Sequence, residues 1–175
     1  MDKLPRKGSA LYGMIMEDKE KTRRTLGNWK KLNKVVVFLY QIGLLPLIGV
    51  GWFIALLFTK GRRTGHTRAT PLEYRKREGY IIIFAARGIK SDWYRNLKAK
   101  PDEVKLRIGF QIYKPNVELI DDPKVVEDYL RWYVKKFPRS SKILFGWDLR
   151  IDNVETTDFT SLAEIIKIVK LTLSS

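Results

Sequence analysis

The stretch from Val35 to Thr59 runs for 25 residues without a charged side chain, and this leaves few places for it to lie. A run of that length is enough to cross a bilayer as a helix. Here, however, Gly43, Pro46, Gly49 and Gly51 cut it into a half with helical spacing and a half with the pattern of a buried strand. Neither half is long enough to span. Both flanks are basic, so charge asymmetry gives no orientation across a membrane. The spacing predicts a helix over 27–43, with Trp29, Leu32, Val36, Leu39 and Tyr40 near a 3.6-residue period, and a strand over 51–59.

Charge is lopsided around this stretch. The formal net charge is +15 over 175 residues. Residues 1–34 hold ten Lys/Arg against four acids, 60–100 hold twelve against three, and 101–175 balance twelve with twelve. An excess confined to the first hundred residues suits an anionic partner: nucleic acid, a membrane surface or a phosphorylated small molecule. The chain is the size of one domain, and the pattern divides it into a basic N-terminal arm over 1–34 and a single domain over 35–175. The arm is basic and apolar enough to meet a membrane surface peripherally. Cysteine is absent, which excludes disulfides, thiolate catalysis and Cys-based zinc sites and fits a reducing cytoplasm. The opening residues MDKLPRKGSALYGM have no apolar core of a secretory signal.

Further along, strands are expected over 67–75 and, after the turn KREG, over the β-branched run 80–87. A short helix follows over 90–101, with Ser91 at its N-cap and Asp92 in its first turn. Residues 103–109 alternate strictly, and 110–120 read as their hairpin partner. The clearest amphipathic helix covers 121–138, with Pro123 in its first turn and Pro138 at its stop. A short helix near SSKILFG and a strand around IIKIVKLTL complete the chain. Five or six strands with helices towards the two ends predict an α+β fold built on a small barrel.

There is no P-loop, no GxGxxG after a strand and no nucleophile elbow, and a single histidine cannot furnish a His-based metal cluster. The segment FTKGRRTGHTRATPLEY, 58–74, is different. Its glycines allow close backbone approach, and Arg62, Arg63 and Arg68 offer the planar forks that match phosphate or carboxylate oxygens. A solvated basic hairpin is the alternative, and His66 reads as its turn residue. FAARG closes the 80–87 strand, and KSDWYRNL opens a helix whose N-terminal amides suit an anion. Trp93 and Tyr94 read as core residues or as stacking platforms, and Asn96 as a ligand partner or a local cap.

In order and spacing, TKGRRTGHTRATPLEY followed by KSDWYRNLKAKP resembles the deazaflavin-dependent nitroreductase family of the FMN-binding split-barrel superfamily. The resemblance runs from about Pro46 to Gly109 and more loosely towards Pro138. It implies a split barrel with a cofactor cleft on its rim. By position, Arg62, Arg63 and Arg68 would hold the cofactor phosphate, helped by Arg87 and Lys90. Pro71, Leu72, Ala85 and Ala86 would line the tricyclic ring, with Trp93 and Asn96 on the adjoining helix. The deazaflavin coenzyme (F-420) carries a phosphate and a polyglutamyl tail, both anionic; FMN is the alternative cofactor. The implied activity is hydride transfer to a quinone, nitro compound or activated alkene, with Tyr74, Tyr133 and Ser140 as candidate proton donors. One departure stands out: Phe137-Pro138-Arg139-Ser140 lacks the tyrosine that one nitroreductase branch carries after a Tyr-Pro pair. A cofactor carrier without turnover and a basic module for nucleic acid or anionic lipid are the readings from other classes. Against nucleic acid, the aromatics lie in apolar segments rather than among Lys and Arg on an exposed strand face. The chain is expected as a monomer or homodimer.

Overall fold

A computed structural model describes residues 4–15 and 19–173. In chain order the elements are α1 (Ala10–Ile15), α2 (Lys19–Gln41), α3 (Leu44–Leu47), β1 (Ile54–Lys60), β2 (Thr67–Glu73), β3 (Arg75–Arg77), β4 (Tyr80–Ala85), α4 (Asp92–Ala99), β5 (Lys105–Ile108), β6 (Gln111–Tyr113), β7 (Asn116–Ile120), α5 (Pro123–Lys136), α6 (Pro138–Phe145), α7 (Thr160–Ile165) and β8 (Lys167–Thr172). The strands form two antiparallel four-stranded sheets, ordered β2-β1-β5-β6 and β3-β4-β8-β7.

The chain passes between the sheets twice with almost no loop. Tyr74 alone separates β2 from β3, and Lys114-Pro115 separate β6 from β7. The run 110–120 is therefore not one hairpin strand. Its first part pairs with β5 and its second with β8. Pro115 has no N–H to give a ladder, so the break falls where the sequence cannot continue one. These crossovers make the α+β fold a split barrel, with one apolar layer between the sheets.

Strand β4 explains the two-layered core. Ile81, Ile83 and Ala85 point between the sheets, where they meet Ala55, Leu57, Tyr94, Leu106, Val169 and Leu171. Ile82 points the other way, against Val126, Leu130, Phe145, Trp147 and Leu162 from the helical layer. Burial on both faces is what a continuous β-branched run indicates. The β3–β4 turn is Glu78-Gly79, with φ of 53° and 83°, the left-handed pair that a two-residue hairpin demands.

The helices depart from expectation at their ends. Helix α2 begins at Lys19, eight residues before the apolar period starts, and the 34/35 division of the chain falls inside it. Pro138 both ends α5 and occupies the first turn of α6. Asp122 caps α5 by accepting from the N–H groups of Lys124 at 2.8 Å and Val125 at 3.2 Å. Ser91 occupies the N-cap position of α4, but its hydroxyl makes no capping hydrogen bond. Among the described residues no helix is long and apolar enough to cross a membrane.

One ion pair fastens the start of the chain to the C-terminal half. Arg6 grips Asp152 with two bonds of 2.7 and 2.6 Å and donates to the Gly146 carbonyl at 2.8 Å. The bonds from Arg6 hold the Asp152 carboxyl below its ordinary range. A carboxyl depressed in the folded state stabilises above its unfolded value, near 3.9, and that contribution is lost as pH falls through the folded value. Chemical denaturation should therefore show stability declining below about pH 4. Asp152→Asn should remove part of that decline and cost about 1.5–3 kcal/mol at neutral pH.

Candidate functional site

The loop joining β1 and β2 runs from Gly61 to His66 and is closed by two backbone bonds, Gly61 N to His66 O at 2.9 Å and Gly65 N to Gly61 O at 2.8 Å. The neck is tightly packed around Gly61. A Cβ on Gly61 would lie 2.7 Å from Thr64 Oγ1 and 3.3 Å from the His66 carbonyl oxygen, with Arg68 Nε 3.9 Å away. Arg68 therefore lies over the same neck from which Arg62 and Arg63 project. His66, whose carbonyl closes this neck, leaves its side chain exposed.

Helix α4 holds this loop in place. Asn96, only 4% exposed, presents its carboxamide oxygen to Arg62 N at 3.2 Å and Arg62 Nη1 at 3.1 Å. Asp92 accepts from Arg62 at 3.3 Å and from Arg95 at 2.7 Å. Positions 92, 95 and 96 share one face of the helix, which turns that face into a bracket for the loop. Burial opposes ionisation of Asp92, but the hydrogen bonds from Arg95 and Arg62 prevail and hold its carboxyl below the ordinary range.

Arg87 follows the end of β4, and Gly88 starts the turn that leads to Lys90 and on to α4. Gly88 has φ of 47°, and a Cβ there would come within 2.0 Å of the Ile165 carbonyl oxygen. Only glycine lets this turn rest on the end of α7. Leu72 and Trp93 pack on the layer between the sheets, Ala85 is fully buried within it, and Ala86 is half-buried against the helical layer. Pro71 pairs with Leu56, and Leu72 with Ala55, in the β1–β2 ladder. At about 3.3 Å per residue, Pro71 and Leu72 lie about 10–13 Å along β2 from Arg68.

The three candidate proton donors do not converge. Tyr74 is buried between the sheets, and its hydroxyl donates to the Gly51 carbonyl at 2.9 Å. Burial raises its pKa. Tyr133 and Ser140 lie together on the opposite side. Tyr133, 2% exposed, donates to Glu73 Oε1 at 2.6 Å, and Ser140 accepts from Arg75 at 3.1 Å. Arg75 also pairs with Glu73 and stacks on Phe137 with 4.2 Å between guanidinium carbon and ring centroid. Burial first, and then Glu73, push the Tyr133 hydroxyl well above the usual phenol range, so it stays protonated at neutral pH. Tyr74→Phe is expected to cost about 1 kcal/mol in urea denaturation through the Gly51 bond. It should leave any chemistry at the Tyr133–Glu73 pair unchanged.

Sequence reasoning missed Asp92, Glu73 and Arg75. The Asp92–Arg95–Asn96 spacing within α4 was the available signal for the first. The other two flank Tyr74, and their pairing across the chain with Tyr133 and Ser140 leaves no local trace.

A family model described as F420H(2)-dependent quinone reductase matches residues 45–139, more than half of the chain. Among solved structures, one described as an F420-H2 dependent reductase is 20% identical over 67% of this chain and 92% of its own, with a TM-score of 0.44. Another, described as an F420 reductase, is 14% identical over 70% and 87%, with a TM-score of 0.46. A third, described as a domain-swapped dimer, is 20% identical over 67% and 78%, with a TM-score of 0.44.

Proposed function

The chain belongs to the F420H(2)-dependent quinone reductase family, an oxidoreductase family that uses the deazaflavin coenzyme, and from that premise we propose a hydride transfer to a quinone on the rim of the split barrel. Nitro compounds and activated alkenes are the wider acceptor class. The observation that carries the placement is the arginine loop bracketed by α4, which lies inside the matched segment.

The residues present suit an anionic group. Arg87 Nε is buried without a hydrogen-bond partner. Among the described residues Arg63, Arg68 and Lys90 are exposed and make no ion pair. The tip of the loop admits backbone approach because Gly65 has no side chain and open space around it. When bound, the coenzyme supplies the hydride. Arg62, Arg63 and Arg68 hold its phosphate end, with Arg87 and Lys90 beside them. Asn96 keeps Arg62 oriented before ligand arrives, which lowers the cost of ordering it, while Asp92 is the internal counter-charge an incoming anion displaces. Pro71, Leu72 and Trp93 exclude water from the ring end, with the backbone around Ala85 and Ala86 lining it. Ser140 and Tyr133 are the candidate donors that stand side by side, with the Tyr133 proton directed at Glu73 and Ser140 held by Arg75. Contact of the basic arm with a membrane surface belongs to the same reading, as does a monomeric or homodimeric state.

Anaerobic turnover tests the function. The reduced deazaflavin coenzyme should be oxidised when a soluble quinone is added, as recovery of the oxidised coenzyme's absorbance. Turnover with reduced FMN and none with deazaflavin would assign the alternative cofactor. Binding of deazaflavin without acceptor-dependent oxidation would indicate a carrier.

A further inference from the structure

We infer that the apolar face made by the second half of α2, α3, the Val50–Trp52 turn and the β5–β6 turn docks on an anionic bilayer. The segments meet at one buried side chain. Tyr40 on α2 donates to the Ile54 carbonyl at 3.1 Å and accepts from Gly109 N at 2.7 Å. Beside it the backbones nearly touch: a Cβ on Gly51 would lie 3.0 Å from Gly109 Cα, and one on Gly43 would lie 3.2 Å from the Phe110 ring. Backbones this close put the surrounding side chains on one surface. Those side chains are Phe38, Ile42, Leu47, Trp52, Phe110 and Ile112, all exposed. Trp52 is 86% exposed, Leu47 74% and Phe110 61%, values at which a large apolar side chain gains nothing from the fold. A contiguous apolar surface of this kind marks an interaction site, and exposed Trp and Phe suit the headgroup level of a bilayer.

Charge chooses the occupant. Helix α2 carries Lys19, Lys21, Arg23, Arg24, Lys30, Lys31 and Lys34 leading into the apolar end, and no acid occurs between Glu20 and Glu73. Cations so placed are drawn to the negative surface of an anionic bilayer. A second copy fits worse. A two-fold interface would set this acid-free, basic border against itself. Since no described helix can span, the contact is interfacial, with the face lying in the headgroup boundary. Phe53, next to Trp52, accepts from Tyr74 N at 3.0 Å. Docking therefore brings the bilayer to the Pro71–Leu72 end of the β1–β2 hairpin. The arginine loop lies about 20 Å away along β2. The docking gives the membrane contact of the basic arm a defined face, and its consequence for the cleft rests on the proposed function.

Vesicle flotation of the full chain tests it. Expected is capture by vesicles of mixed phosphatidylcholine and phosphatidylglycerol, weak capture by phosphatidylcholine alone, and a blue shift of tryptophan fluorescence. Raising salt to about 1 M should weaken capture. The double variant Trp52→Ser with Phe110→Ser should reduce partitioning about tenfold or more. Its deazaflavin titration in solution should match that of the unsubstituted chain, so docking and cofactor binding are read separately. Equal capture of both proteins, or no capture by the anionic vesicles, overturns the inference. So does a dimer in sedimentation velocity without lipid that the double variant dissociates, because the face would then belong to a second copy.

Discussion

Arg62→Ala combined with Arg63→Ala is expected to abolish most of the affinity for the deazaflavin coenzyme while leaving the fold intact. Each charged hydrogen bond lost should cost about 1.5–3 kcal/mol, about tenfold to 150-fold in dissociation constant. The reason to expect an intact fold is local. The bond from Arg62 N to Asn96 survives side-chain truncation, as do the two backbone bonds that close the loop. Arg62→Lys separates charge from shape, since lysine keeps the charge but cannot reproduce the planar fork. Asp92→Asn runs in the opposite direction. It removes an internal carboxylate that competes with any incoming anion for Arg62, so affinity should rise or hold, and the loop should remain tied through Asn96. Isothermal titration of the three variants beside the unsubstituted chain distinguishes these cases. Unchanged affinity in the double alanine variant would place the phosphate elsewhere.

Gly88→Ala is expected to be the most damaging single change to stability, about 3 kcal/mol or more. Two penalties coincide there. The left-handed φ of 47° costs an L-residue about 1–2 kcal/mol. The added methyl would also sit 2.0 Å from the Ile165 carbonyl oxygen, a backbone atom at the end of α7 that cannot rotate away. Gly65→Ala is the matched control. Its φ of 67° brings the same conformational cost, but open space surrounds the new methyl, so the loss should stay near about 1–2 kcal/mol. Thermal or urea unfolding of the pair reads the difference. Equal losses would show that the contact with Ile165 yields without cost.

Much of the fold is legible in the residues because it is local. The glycine-marked β1–β2 hairpin, the capped helix α5 and the doubly buried β4 follow from spacing and turn chemistry alone. What escaped depends on partners far along the chain. That residues on either side of Tyr74 serve different sheets is decided by pairing with β1 and β4, and nothing in TPLEYRKR announces it. The break at Pro115 leaves only a missing N–H as its trace in the sequence. Helix α2 starts early because its first turns carry cations and a few small residues, which give no apolar period to read. At the candidate site, the cations and Asn96 are legible by type and spacing. That Asn96 and Asp92 bracket Arg62 is not, because the contact closes only when α4 folds back onto β1.

The central claim is that the rim carrying the arginine loop binds the deazaflavin coenzyme, and a fluorescence titration of the purified chain with that coenzyme and, separately, with FMN tests it most directly. Saturable deazaflavin binding at micromolar concentration or tighter is predicted, weakened by salt and by the Arg62/Arg63 double substitution, with FMN bound less well. Absence of saturable deazaflavin binding, or FMN bound in its place, would contradict it.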